Sequence, residues 1–215
     1  MCNSDVVSYY SDYAGSYEDI YEDFVCESDY GSLCERIGSM FDSRFVVEVA
    51  CGTGHWTRLI AETATNVVAS DISREMLLRA KEKTLSSNIA YIQADAYNTA
   101  WATSNQFSGG FAGYWLSHVP VCRCREFIDQ FHSLLAPGAK VVIFDNVQTA
   151  DYPVDSRDEQ GNTYQIRWIG DTEYYVLKNF YSENELLDMV SPHAYDIEYE
   201  EFKYHWLLQY KYSPR

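Results

Sequence analysis

The sequence predicts an α/β fold: a seven-stranded Rossmann-like sheet, mostly parallel, with an antiparallel C-terminal edge, an N-terminal lid helix and a β-hairpin insertion. Three observations predict it. Strand-like apolar runs alternate with helix-like segments from residue 45 to 145, the order that right-handed βαβ crossovers require. A glycine-bearing turn, Cys51-Gly-Thr-Gly54, follows the first of those strands. Asp71, Asp95 and Asp145 each fall at a strand's carboxyl end, where such sheets hold ligands.

The elements follow in order. Residues 3–24 are rich in Tyr, Asp and Ser. Tyr10, Tyr13, Tyr17 and Tyr21 recur at helical spacing, so one side of a helix carries aromatics. Such a face packs on the core or, at a chain end, closes over a small-molecule site. Residues 45–50 read as a buried strand and 55–64 as a helix. Val67 to Ser70 is a second strand, ending at Asp71. A helix over 73–84 carries Met76, Leu77 and Ala80 on one face. Strands are expected at 89–94, 109–115 and 139–144, with a helix at 123–135 that Pro137-Gly138 stops. Residues 163–168 and 173–178 flank Gly170-Asp171 as a hairpin. Ser182 and Glu185 have the spacing of a capping box. Strands near 195–202 and 205–212 would close the chain as an antiparallel pair at the sheet edge.

Composition narrows the function. The chain has 215 residues, 47% of them apolar, which suits one domain with a full core. No apolar run is long enough to span a bilayer, and the polar start does not read as a signal peptide, so a cytoplasmic protein away from membranes is expected. Asp and Glu number 32 against 16 Lys and Arg, for a net charge of −16. A nucleic-acid partner needs a basic footprint, which is absent. The six cysteines match no zinc or redox spacing, so free thiols and no metal are expected.

Glu48-Val-Ala-Cys-Gly52-Thr-Gly54 carries the strongest functional signal. Its glycines let backbone approach a ligand without a Cβ clash, and the following helix offers free N–H groups. Asp71 closes the next strand, where an acid can bond ribose hydroxyls. A dinucleotide enzyme would carry a longer G-x-G-x-x-G pattern; here its third position is Thr57, and Asp95 would have no role.

These motifs resemble those of the class I S-adenosylmethionine (SAM)-dependent methyltransferase family over residues 45–145, with Ala50 at the first glycine of the motif and Leu135-Ala-Pro-Gly138 as a later match. The resemblance implies SAM as cofactor and S-adenosylhomocysteine as product. It brings Glu48, Ala50, Gly52 and Gly54 to the methionine end and Asp71 to the ribose. Ile72 and Met76 would flank the adenine, and Asp95 with Ala96 would bind its edge. Tyr17 and Tyr114 would complete the cofactor contacts. One methyltransferase domain over 1–215 is then expected: a helical lid (1–40), a SAM-binding core (41–145), a substrate-side hairpin insertion (146–181) and a C-terminal helix and strand pair (182–215).

Residues 51–57, 114–120 and 164–178 and the helix at Ser182 are similar to those of the small-acid and phosphonate O-methyltransferases. This implies methyl transfer to an oxygen of a small carboxylate or phosphonate. Such an acid is already ionised and needs anchors rather than a base. If Gly170 and Asp171 centre the hairpin, Arg167 pairs with Tyr174, and Lys178 lies on the same face about 13 Å along the strand. The two side chains would converge on one anion, and the resemblance assigns these positions to phosphonate binding. His118, just past the fourth strand, would orient the acceptor, donate a hydrogen bond or act as base. Tyr17 and Tyr21 would close over the site and exclude water. Trp115 would form an apolar wall. The acidic surface repels an anionic acceptor at long range and attracts cationic SAM. Two alternatives remain: an N- or S-methyltransferase of a small natural-product intermediate, and a non-catalytic SAM-binding protein. A small-molecule substrate and a monomer or homodimer are expected.

Overall fold

The structure, a computed structural model, describes residues 4–15, 28–84, 86–104, 106–150 and 153–214. Tyr17 and Tyr21 lie outside the described residues. Helix α1 (Ser4–Tyr13) and α2 (Ser28–Ser39) precede the sheet. The aromatic helix expected over the first residues therefore ends at Tyr13, before the Ala14-Gly15 turn.

The core then alternates. Strand β1 (Phe45–Val49) leads to α3 (His55–Ala61), β2 (Asn66–Asp71), α4 (Arg74–Lys83) and β3 (Ile89–Gln93). Strand β4 (Phe107–Gly113) is followed by α5 (Cys124–Ser133) and β5 (Leu135–Asn146). A small antiparallel sheet comes next: β6 (Ser156–Arg157), β7 (Thr163–Ile169) and β8 (Thr172–Leu177). Helix α6 (Glu183–Val190), β9 (Ala194–Glu201) and β10 (His205–Tyr212) complete the described chain. No helix among the described residues is long and apolar enough to cross a membrane.

The seven-stranded sheet runs β3-β2-β1-β4-β5-β10-β9. Strands β3 to β5 pair in parallel; β10 is antiparallel to both β5 and β9. The expected antiparallel pair thus forms, with β10 rather than β9 joined to β5. Strand order reverses between β1 and β4, the switch point at which a ligand crevice opens. One face buries α5 and α6 through Phe127, Phe131, Leu186 and Val190; the other buries α2, α3 and α4 through Ile37, Trp56, Ile60 and Leu77. Two glycines in β4 admit this close double packing. A Cβ on Gly109 would lie 2.9 Å from Phe41, and one on Gly110 would lie 2.8 Å from Phe131 on the helical layer opposite.

Local chemistry explains several boundaries. Ser73 caps α4 by accepting from the Met76 amide, and Ser182 with Glu185 forms the expected capping box on α6. Pro137-Gly138 does not sit in a loop between helix and strand. Gly138, at φ +79°, lies in an irregular first part of β5, opposite a register shift between Phe107 and Gly109. The hairpin has the expected register, with Ile169 opposite Thr172 and Arg167 opposite Tyr174. Its partner strand β6 was not expected, because two residues leave no period to read.

Candidate active site

A cavity of about 530 Å³ opens at the carboxyl ends of β1 to β4, within the size range of small-molecule sites. One wall is made by the loops after β1, β2 and β3. Ala50 and Gly52 both take left-handed φ values, 53° and 55°. For Ala50 that conformation costs about 1–2 kcal/mol, so the loop is held by other contacts. The Cys51 amide donates to the Ser70 carbonyl, and Gly54 N–H donates to the Cys51 carbonyl. Asp71 ties this loop to the next. Its Oδ2 accepts from Gly52 N–H and its Oδ1 from Ser73 N–H, both at 2.8 Å. Each carboxylate oxygen keeps a lone pair for a further donor.

Ala50, Gly52, Asp71, Ile72, Met76, Asp95 and Ala96 all border the cavity, as do Tyr114, Trp115 and His118. The expected site residues on the core are thus largely brought together. Glu48 and Gly54 are not. Glu48 is buried within β1, accepts from the Thr57 hydroxyl at 2.5 Å, and burial pushes its carboxyl up to about 8. Gly54, at φ +79°, sits at the start of α3 with the Tyr91 hydroxyl and Ala80 3.0 and 3.1 Å from where a Cβ would be. Both support the loop from beneath.

Tyr114 and Trp115 form the wall beyond β4. Tyr114 has φ 55°; its hydroxyl meets His205 Nε2 at 3.0 Å and its ring lies edge-on to Phe144. Trp115 is half-buried between Tyr97 and Phe127. A short 3₁₀ turn, Leu116–His118, then carries His118 into the interior at 2% exposure.

His118 stands at the centre of a directional hydrogen-bond chain. Its Nδ1 lies 2.6 Å from the Leu177 carbonyl, which can only accept, so Nδ1 carries the proton. Burial, with Lys178 and Arg167 nearby, lowers its pKa to about 3 and keeps the ring neutral. Nε2 is therefore a bare acceptor, and the Tyr10 hydroxyl of α1 donates to it at 2.8 Å. Arg167 Nη1 donates to the same hydroxyl oxygen at 3.4 Å, and Nη2 donates to Gln165 Oε1 at 2.9 Å. Among the described residues no carboxylate pairs with Arg167.

Lys178 corrects the expected pairing of two cations on one anion. Its Nζ donates to Ser117 Oγ at 2.8 Å, Asn146 Oδ1 at 2.8 Å and Asp145 Oδ1 at 3.0 Å. All three ammonium protons are used, with only 4% of the side chain exposed. A buried charge needs such partners, and Asp145 at the end of β5 provides the opposite charge. Arg167 and Lys178 leave one hairpin face in different directions, Arg167 toward α1 and Lys178 toward β5. Neither borders the cavity directly; Arg167 meets it through Tyr10.

Tyr10 is among the cavity residues that sequence reading missed, with Tyr97 and Arg123. It borders the cavity and bonds His118, 108 positions away. Its place in the aromatic stripe was visible, but nothing local distinguished it from Tyr13. Val6 and Tyr9 of the same helix pack on Val176 and Leu177 of β8, and the Ser11 hydroxyl meets that of Ser73 at 2.9 Å. Helix α1 thus spans the cavity from hairpin to α4.

Residues 46–138 match the family described as a methyltransferase domain. Together with the sheet order and the cavity at its switch point, this match supports a SAM-dependent methyltransferase of class I. Among solved structures it is similar to DhpI in its SAH complex, at 25% identity over 99% of this chain and 98% of that one, with a TM-score of 0.81. The DhpI–SAM–HEP complex is similar at 26% identity over 96% of each chain, with a TM-score of 0.79. The 1,6-didemethyltoxoflavin-N1-methyltransferase of Burkholderia thailandensis shares the fold at 15% identity, over 95% of this chain and 87% of that one, with a TM-score of 0.64. No curated protein matches the chain significantly.

Proposed function

We propose that the chain methylates an oxygen of a small carboxylate or phosphonate. The observation that carries this reading is Arg167: a guanidinium with no carboxylate partner among the described residues, joined through Tyr10 to the cavity, in a chain of net charge −16. Such a cation in so acidic a protein suits an anionic ligand at the Tyr10 end of the cavity. The similarity to DhpI, whose complex holds SAM together with HEP, supports the same reading.

The loop wall fits SAM. Two carboxylates, Asp71 and Asp95, stand beside apolar Ile72 and Met76 and the exposed backbone of Gly52. Asp71 accepts the ribose hydroxyls on its remaining lone pairs, Ile72 and Met76 flank the adenine, and Asp95 with Ala96 reads its edge. Ala50, Gly52 and Tyr114 border the methionine end. SAM supplies an electrophilic methyl group on a sulfonium.

The protein's part is alignment. Arg167 draws the acid to the Tyr10 end of the cavity, Trp115 limits its position on the apolar side, and His118 orients it through Tyr10. Holding two reactants in line can contribute about 7–11 kcal/mol of barrier reduction. An ionised acid needs no base, in keeping with a neutral, locked His118. Helix α1 covers the cavity and keeps water from competing.

Methyl transfer from labelled SAM to a panel of phosphonates, carboxylic acids, amines and thiols tests the reading. Turnover confined to acids is expected, with acceptor kcat/KM reduced roughly a hundredfold by Arg167→Ala, the effect of losing about 3 kcal/mol of charged hydrogen bonding. Turnover of amines or thiols indifferent to that substitution would discard the anion site.

A further inference from the structure

Beneath the loop that borders the cavity lies a carboxyl without a counter-ion. Glu48 leaves β1 on the same face as Val46, toward the layer of α2 and α3, and is 1% exposed. The Thr57 hydroxyl of α3 donates to it. Among the described residues no Lys, Arg or His forms an ion pair with it. The titratable groups that bear on it are Asp71 of β2, the Cys51 thiol of the loop and the Tyr91 hydroxyl of β3. Each of these turns negative on ionising, so none favours a second negative charge. Burial acts in the same direction and is the larger effect, carrying the carboxyl up to about 8 against the pull of the Thr57 hydrogen bond.

Only the turn after β1 separates this carboxyl from the cavity. Ala50, Cys51 and Gly52 line the cavity on the far side of that turn. Asp71 joins the two sides: it borders the cavity, accepts from Gly52 N–H, and its charge reaches Glu48. In a layer that excludes water, a charge is felt strongly across one loop. Cofactor and product differ there by one charge, since the sulfonium of SAM becomes a neutral thioether in S-adenosylhomocysteine.

We propose that Glu48 gives up its proton to solvent when SAM binds and takes one back after methyl transfer, so that the site favours the charged cofactor over its neutral product. The protons and charges balance over a cycle. The carboxyl O–H bond breaks as the sulfonium arrives, and the proton passes to water. Methyl transfer then consumes the sulfonium charge, and the carboxylate, left without a counter-charge, is reprotonated from water. Glu48 is thus a positioning residue that acts across the loop. The inference rests on the reading above that sets the methionine end beside Ala50 and Gly52.

Calorimetric titration of the wild-type protein with SAM and with S-adenosylhomocysteine, in two buffers of different ionisation enthalpy, counts the protons released by each. At pH 7 SAM should release at least about half a proton more than S-adenosylhomocysteine. The Kd of SAM should tighten about three- to tenfold from pH 6 to pH 7, tenfold being the limit for one whole proton, while that of S-adenosylhomocysteine stays within about twofold. Glu48→Gln should remove both differences. A merely structural role would weaken both ligands and leave their pH responses unlike. Equal proton release by the two ligands, or a difference that survives Glu48→Gln, would overturn the inference and leave the cofactor placement standing. Binding of neither ligand to the wild-type protein would overturn the cofactor reading and the inference with it. The wild-type comparison decides the question even if Glu48→Gln fails to fold.

Discussion

On the wall proposed for the cofactor, the lining groups come mainly from residues 50–96, and Asp71 ties its first two loops together. On the wall proposed for the acceptor they come from α1 and the turn after β4, with the hairpin behind them. There Tyr10 and Arg167 meet across 157 positions of sequence. The first side is a property of strand-turn-helix units and the second of how distant pieces dock. A fold can therefore keep one cofactor while changing acceptors, because the two walls share few residues.

The largest effect expected of this difference is on stability. Lys178→Met leaves Asp145 buried without its cation, a change that costs about 3–5 kcal/mol. Chemical denaturation should show that loss; a change below about 1 kcal/mol would mean the acceptor side is not held by this pair. Glu48 sharpens the comparison from beneath the cofactor loop. Its carboxyl titrates near 8 in the folded chain, above its ordinary value of 4.5, because burial opposes its charge. Between those two pH values the folded protein holds a proton that the unfolded chain has released, so stability falls as pH rises across that window. The slope from this group is at most about 1.4 kcal/mol per pH unit. Glu48→Gln should flatten it in urea melts taken from pH 5 to 8, and an unchanged slope would place the proton elsewhere. The smallest expected effect concerns His118, whose pKa of about 3 keeps it neutral above pH 5. Acceptor kcat/KM should show no inflection near 6.5 that His118→Asn removes. Such an inflection would make His118 a titrating base.

The same contrast explains what the sequence disclosed. The parallel core was legible because strands β1 to β5 and helices α3 to α5 each carry their own period and end signals. The Asp71 wall was legible because its acids sit at strand ends. Glu48 and Gly54 belong to the same motif yet face inward, since adjacent residues in a strand point to opposite sides and Gly54 is needed where α3 closes on Tyr91 and Ala80. The hairpin register followed from its turn, which placed Arg167 and Lys178 on one face. Their divergence did not follow, because it depends on Asp145 and Tyr10, which reach them only through the tertiary fold. Tyr10 was one tyrosine among several in a stripe until the docking of α1 singled it out.

A double dissociation tests the separate tasks of the two walls most directly. SAM affinity by calorimetry and acceptor KM by methyl transfer should be measured side by side on Asp71→Ala and Arg167→Ala. Asp71→Ala should weaken SAM binding about ten- to hundredfold, the range for hydrogen bonds to a charged group, and Arg167→Ala should leave it within about threefold while raising acceptor KM. If Arg167→Ala impairs SAM binding as strongly as Asp71→Ala does, or if Asp71→Ala leaves SAM affinity unchanged, the division of the cavity into two walls with separate tasks is contradicted.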